Sequence, residues 1–249
     1  MGKRQEKRKQ HEQEQRRNRI IVISLIVVGA LLLISVLILP NLIKPGATPT
    51  KADKIVQITP VAYTAPMDKT SMGKPDAPVK MDVWEDFQCS GCLSYTTKVE
   101  GQVLKAYVET GKVYYTFHFF PFIDGGKGES HQAANAAECA SAQGRFRDYH
   151  DMLFANWLGE NAGSYTDSRL VTFAQDIGLD MTKFNQCFQA NTYAALIQQD
   201  YAAGAKLGVP PTPGIFVNGK QVVSSAGQGY LPSIDDISKI IDAALSAGK

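Results

Sequence analysis

The chain has 249 residues, 44% hydrophobic and 20% charged, with four cysteines and four histidines; this suits one compact domain with extensions, or two small domains. Its net charge of +2 is unevenly spread: residues 1–19 hold eight of the 26 Lys/Arg against three glutamates, leaving 18 basic and 21 acidic residues in the body. Nothing in this slightly acidic body suggests a nucleic-acid-binding surface.

Ile20 to Leu39 is a run of twenty residues without a charge, closed by Pro40. That matches the roughly 20 residues needed to span a bilayer. The basic tail 1–19 before it, with no basic cluster after it, predicts a cytoplasmic N-terminus and everything from Pro40 onward outside. The run is longer than the roughly 7–15 residues of a signal-peptide core, and no clean small-x-small site follows, so an uncleaved anchor is expected. Glu6 stands where a myristoylation signal needs Ser or Thr.

Residues 40–70 read as a Pro-rich linker, most extended over Pro40–Asp53, with Lys54-Ile55-Val56-Gln57-Ile58 as a candidate first strand. Ser71 to Pro78 has the composition of a loop. Val79 to Trp84 is β-prone and leads into Asp86-Phe87-Gln88-Cys89-Ser90-Gly91-Cys92. Tyr95, Val99, Val103 and Tyr107 then recur at four-residue steps, predicting an amphipathic helix stopped at Gly111. Lys112 to Phe120 is aromatic, β-prone and closed by Pro121, the pattern of a buried strand. Two strands joined by a helix predict a parallel pair with a right-handed crossover.

Residues from about 130 to 206 switch to helical periodicity. An Ala-rich helix, His131–Ala142, ends before Gly144, and Phe146, Tyr149, Leu153 and Trp157 mark the next face. Leu170, Phe173, Ala174 and Ile177 mark a third. Asp180 is an N-cap for a helix carrying Phe184, Cys187 and Phe188. Ala194, Ile197, Tyr201 and Ala205 form a last face ending at Gly208, with Gly204 an oddity inside it. Strands resume at Gly214–Val217, turn at Asn218-Gly219 and return through Gln221-Val222-Val223. Ser233-Ile234-Asp235-Asp236 resembles a capping box opening a final helix with Ile234, Ile237, Ile241 and Leu245 inward.

The chemistry concentrates at Cys89 and Cys92. A thiol where a strand turns into a helix meets unpaired N–H groups and the positive dipole end, which favour a thiolate. The spacing lets one sulfur resolve a mixed disulfide formed by the other. A bare Cys-x-x-Cys is equally half of a zinc site. The remaining cysteines form no second such pair and no histidine lies close in sequence, so no metal is expected here.

Pro75-Asp76-Ala77-Pro78-Val79, Trp84 to Cys92, Ala137-Glu138-Cys139-Ala140 and Val209 to Gly219 together resemble the DsbA-like family of extracytoplasmic disulfide oxidoreductases. The resemblance runs from about residue 72 to the C-terminus. It implies an α/β thioredoxin-like fold over 71–249 with a helical insertion at about 130–206, preceded by the transmembrane helix that the run 20–39 predicts. It implies a cis Thr212–Pro213 bond facing the cysteine pair, with Thr212 and Pro213 binding the substrate chain like an added strand. With Cys89 as attacking and Cys92 as resolving sulfur, as their spacing and helix position predict, the expected substrates are exported proteins with free thiols and no organic cofactor is needed, and the resemblance implies a quinone-linked membrane oxidase as electron acceptor. An even cysteine count outside the cytoplasm suggests further pairing, and the resemblance implies that Cys139 and Cys187 tie two insertion helices together; two buried free thiols are the alternative.

The sequence departs from the family where Ser90-Gly91 replaces the proline often found after the first cysteine, and where Gly214 leaves room beside the cis-proline. Either Glu85 or Asp86 is placed to relay a proton to the resolving thiol, or is a solvated loop charge. Trp84 and Phe87 are expected to shape the site and offer an apolar rim, His118 to be a satisfied core or edge residue, and His131 and His150 to lie on helix surfaces. The same residues also serve a reductase or isomerase, or a non-catalytic tethered binding module.

Overall fold

The computed structural model describes residues 54–124 and 128–247. The tail 1–19, the expected span 20–39 and the linker up to residue 53 lie outside the described residues. Among the described residues, no helix is long and apolar enough to cross a membrane.

The strands are β1 (Met67–Asp68), β2 (Ser71–Met72), β3 (Val79–Glu85), β4 (Val113–Phe119), β5 (Gly214–Val217) and β6 (Lys220–Gln221), in sheet order β1-β2-β4-β3-β5-β6. β3 and β4 pair in parallel from Val79 opposite Val113 to Glu85 opposite Phe119; β5 pairs antiparallel to β3 on its other side. The helix connecting β3 to β4, α1, runs over 90–108: an α-helical start Ser90–Tyr95, a π turn Thr96–Glu100, a short α segment Gly101–Val103 and a second π turn Leu104–Val108. Tyr95, Val99, Val103, Leu104 and Tyr107 are all buried, the face their spacing predicts. Gly111 ends the connection at φ 73°, a conformation cheap only for glycine.

The helical insertion comprises α2 (Glu129–Ser141), α3 (Phe146–Ala155), α4 (Asp167–Asp176), α5 (Met181–Gln189) and α6 (Ala194–Leu207); α7 (Ile234–Ala247) closes the fold. The result is a thioredoxin-like α/β fold with a helical insert. Asp180 caps α5 by accepting from the N–H groups of Thr182 and Lys183, and the Ser233–Asp236 box opens α7. Strand parity divides the packing. Val79, Met81, Val83, Tyr115, Phe117 and Phe119 face the main core, whereas Trp84, Phe120 and Phe216 form a second cluster with Tyr201 and Val209.

Several sequence expectations need correction. Lys54–Ile58 is not a strand: Ile55 and Ile58 pack on the core, and the Val56 backbone is held by the Asn156 side chain, which accepts from its N–H and donates to its carbonyl. Ser71–Met72 is a strand rather than part of a loop, because β4 extends far enough to pair with it. The return after Asn218-Gly219 is only Lys220–Gln221, although Val222 N–H still bonds the Ile215 carbonyl at 2.8 Å. The buried face of α6 continues through Gly204, not Ala205, which is exposed. A Cβ on Gly204 would stand 2.8 Å from Trp84 and Phe120, so glycine lets the helix lie against these rings. His150 is fully buried rather than on a helix surface.

Candidate active site

Cys89 is the N-cap of α1, in extended conformation with φ −72° and ψ 124°. Across from it, Thr212 and Pro213 join through a cis peptide bond at the entrance to β5. The Cys89 thiol donates to the Thr212 carbonyl at 3.2 Å. Gly91 permits this approach. A Cβ there would lie 2.9 Å from the Thr212 oxygen, 3.3 Å from Pro213 Cδ and 3.5 Å from Cys89 Sγ. A cleft of about 420 Å³ opens beside this junction, lined among others by Gly91, Thr212, Pro213, Val222 and Tyr230. Gly214 leaves no free room: a Cβ there would meet Val209 Cγ1 at 2.5 Å, so the expected space is filled by Val209.

The two sulfurs titrate in opposite directions. A hydrogen bond from Cys92 is the largest influence on Cys89 and, with the Thr212 side chain and the N–H groups of Cys92 and Gly91, outweighs burial and lowers its pKa to about 6. Cys92 is fully buried, and burial, its bond to Cys89 and the nearby Glu85 push its pKa well up. The sulfur that favours the thiolate thus sits at the less buried position, 8% exposed, with a neutral, fully buried thiol beneath it. Both thiols are free in this structure.

The two acidic residues separate clearly. Glu85 ends β3 with the same parity as Val83, so its side chain points into the protein; it is 1% exposed, and the Cys92 thiol lies close enough to act on its titration, although neither carboxylate oxygen makes a well-formed hydrogen bond. Burial, then the neighbouring Glu100, raise its pKa well above the carboxylate range. Asp86 is buried too, but it clamps the loop: it accepts from the N–H groups of Gln88, Phe122 and Ile123 at 2.8, 2.9 and 3.0 Å. Neither is a solvated loop charge.

Trp84 and Phe87 do not form an exposed rim. Phe87 lies in the main core, stacked on Phe117 with centroids 5.4 Å apart. Trp84 stacks on His118 at 4.2 Å in the second cluster, and His118 bridges Asp82 and Asp200 at 3.1 and 3.2 Å. His131 is half-buried on α2. Cys139 on α2 and Cys187 on α5 are disulfide-bonded, with Cα atoms 5.9 Å apart.

Sequence reasoning passed over Gln88. Its amide donates to Ser130 Oγ at 2.9 Å and its carbonyl accepts from Trp157 Nε1 at 2.8 Å, while the Phe87 carbonyl accepts from the Tyr165 hydroxyl at 2.9 Å. The insertion thereby holds the loop that presents Cys89. Nothing local to Gln88 signals partners 36 to 73 residues away.

The family described as "Thioredoxin" matches residues 66–243. The chain is 28% identical over 221 residues to a probable disulfide bond formation protein D of Bacillus cereus, covering 87% of this chain and 95% of that protein. Solved structures with the same fold include oxidised BdbD of Bacillus subtilis (22% identity, TM-score 0.63, 75% of this chain and 98% of that one) and DsbA of Chlamydia trachomatis (20% identity, TM-score 0.61, 76% and 98%).

Proposed function

The chain belongs to the thioredoxin family and is a DsbA-like thiol–disulfide oxidoreductase; from that premise we propose that it is a membrane-anchored dithiol oxidase working outside the cytoplasm, introducing disulfides into exported proteins through Cys89 and Cys92. The carrying observation is the split between the cysteines. A stabilised Cys89 thiolate favours the reduced pair, and a stable reduced form makes the disulfide an oxidant.

In this reading a substrate thiolate bonds Cys89 Sγ, the Cys89–Cys92 bond breaks and the electron pair leaves on Cys92. Glu85, kept neutral by burial, protonates it. The substrate's second thiolate then displaces Cys89, leaving an oxidised substrate and a reduced pair. Thr212 and Pro213 would align the substrate backbone beside the cleft; Asp86, Ser90, Gly91, Trp84 and Phe87 shape the loop and its support, and Cys139–Cys187 braces the insertion. The uncharged run 20–39 supports the anchor. It would keep the domain close to a quinone-linked membrane oxidase that reoxidises the pair.

Oxidative refolding of a reduced multi-cysteine protein tests this. Recovery with the oxidised wild type but not with Cys89→Ser supports it; equal recovery with both sinks every thiol mechanism. Protease added outside intact cells should digest the domain, and its survival there would contradict the location.

A further inference from the structure

Burial holds both Glu85 and Cys92 neutral in this reduced structure, so a Glu85 that has given its proton to Cys92 has to take up another, and the same burial denies it a direct route to solvent. A carboxylate oxygen of Glu85, one of Glu100 and a ring nitrogen of His150 lie within 4.8 Å of one another, all in buried residues. His150 Nδ1 sits 3.0 Å from Asp151 Oδ1, and Asp151 is the edge of the cluster that meets solvent, its side chain 19% exposed. His150 Nε2, like both Glu85 oxygens, makes no well-formed hydrogen bond.

The remaining contacts argue against a metal site. Arg147 donates to both Glu100 oxygens, at 2.7 and 2.8 Å, and to Asp151 Oδ1 at 2.5 Å; the Tyr115 hydroxyl donates to Glu100 Oε1 at 3.0 Å. A cation would have to displace a guanidinium from a carboxylate already engaged on both sides. Glu85 from β3, Glu100 from α1 and Asp151 from its own helix, α3, face His150, and Tyr95 from α1, Tyr115 from β4 and Arg147 from α3 complete the polar cluster around Glu100. The other walls are Phe87, Phe117, Phe146 and Phe154. At Glu100, Arg147 outweighs the effect of burial and keeps the carboxylate ionised, so of the two carboxyls Glu85 holds the proton.

We propose that His150 is a positioning residue that conducts a solvent proton from the Asp151 edge to Glu85, so that Glu85 is recharged after each donation to Cys92. This rests on the thiol-exchange reading of Cys89 and Cys92. The transfers balance. Opening the disulfide leaves electrons on Cys92 and Glu85 gives it a proton; His150 takes a proton from solvent at the Asp151 edge and passes its Nε2 proton to Glu85; on reoxidation Glu85 returns its proton to His150 and so to solvent, and takes the one that Cys92 gives up. The separation of up to 4.8 Å is within the span that one water or a side-chain rotation closes.

The experiment is steady-state oxidation of a small dithiol, with a small disulfide as terminal oxidant, across pH in H2O and D2O. His150→Gln and Asp151→Asn should each slow turnover by roughly 10-fold or more, draw the alkaline decline to lower pH and enlarge the solvent isotope effect. The Cys89 titration and the equilibrium with glutathione should stay as in the wild type, because the conduit changes the rate of proton delivery and not either end state. Wild-type rate and pH profile in both folded variants overturn the relay, as does a change in the glutathione equilibrium as large as the change in rate. Should His150→Gln fail to fold, Asp151→Asn decides alone, since its side chain lies at the surface edge. A wild type that shows no exchange refutes the parent reading and the relay with it; an active wild type with unaffected variants refutes only the relay.

Discussion

The thiol of Cys89 and the carbonyl of Thr212 meet at 3.2 Å across a gap that a side chain at position 91 would close. Two segments 123 residues apart in sequence therefore form one site only because position 91 is glycine. Gly91→Ala should push the Thr212–Pro213 segment outward, since its Cβ would meet backbone rather than a flexible side-chain end. We expect a loss of about 1–3 kcal/mol and weaker substrate binding, read by denaturant unfolding and by KM in dithiol oxidation. Unchanged values of both would refute the packing account.

The low Cys89 pKa of about 6 depends first on Cys92. Cys92→Ala should move the Cys89 titration upward, toward the ordinary thiol value of about 8.5. Thiolate absorbance against pH follows this directly. The same variant should accumulate mixed disulfides through Cys89, visible by mass under non-reducing conditions. A titration still centred near 6 would transfer the effect to the helix N-terminus and Thr212.

His118 ties α6 to the sheet through Asp200 and Asp82. Burial alone would lower its pKa, but the two carboxylates outweigh it and hold it at about 9 in place of 6.5. A raised folded value means the stabilisation is complete below about pH 6.5 and is lost as pH rises through about 9. The contribution is on the order of 3 kcal/mol. His118→Gln should flatten the stability profile between pH 6.5 and 9, with the largest deficit at the acidic end. A parallel profile in the variant would contradict the linkage.

The Cys139–Cys187 bond spans 48 residues. In the chain-entropy view such a loop constrains the unfolded chain by up to about 4 kcal/mol. Replacing both cysteines by serine should lower unfolding free energy by about 2–4 kcal/mol, while oxidation of a small dithiol continues. Loss of exchange in a folded double variant would show that this pair takes part in the chemistry.

The central strand pair, α1, the cysteine pair and the hairpin were legible because each repeats a local period or turn signal. Strand parity also held the answer to the acid beside Cys92: Glu85 follows Val79, Met81 and Val83 on the inward face of β3, whereas Asp86 falls in the loop beyond it. The burial of His150 departs from the expectation for a polar residue, yet the helical spacing carried the signal: Phe146, Leu153 and Phe154 lie three or four residues away on the same face of α3, and Phe117 of β4 covers it. Gln88 and Gly204 escaped for a different reason. Their roles are set by Trp157, Ser130, Trp84 and Phe120, which arrive from distant segments and leave no local trace.

The equilibrium of the Cys89–Cys92 pair with glutathione tests the central claim most directly. A thiolate stabilised to about pH 6 above a neutral, buried partner predicts a potential clearly more oxidising than the roughly −270 mV of thioredoxin, toward the about −120 mV end of the fold's range. A value at or below about −270 mV would contradict the oxidase assignment and make the pair a reductant.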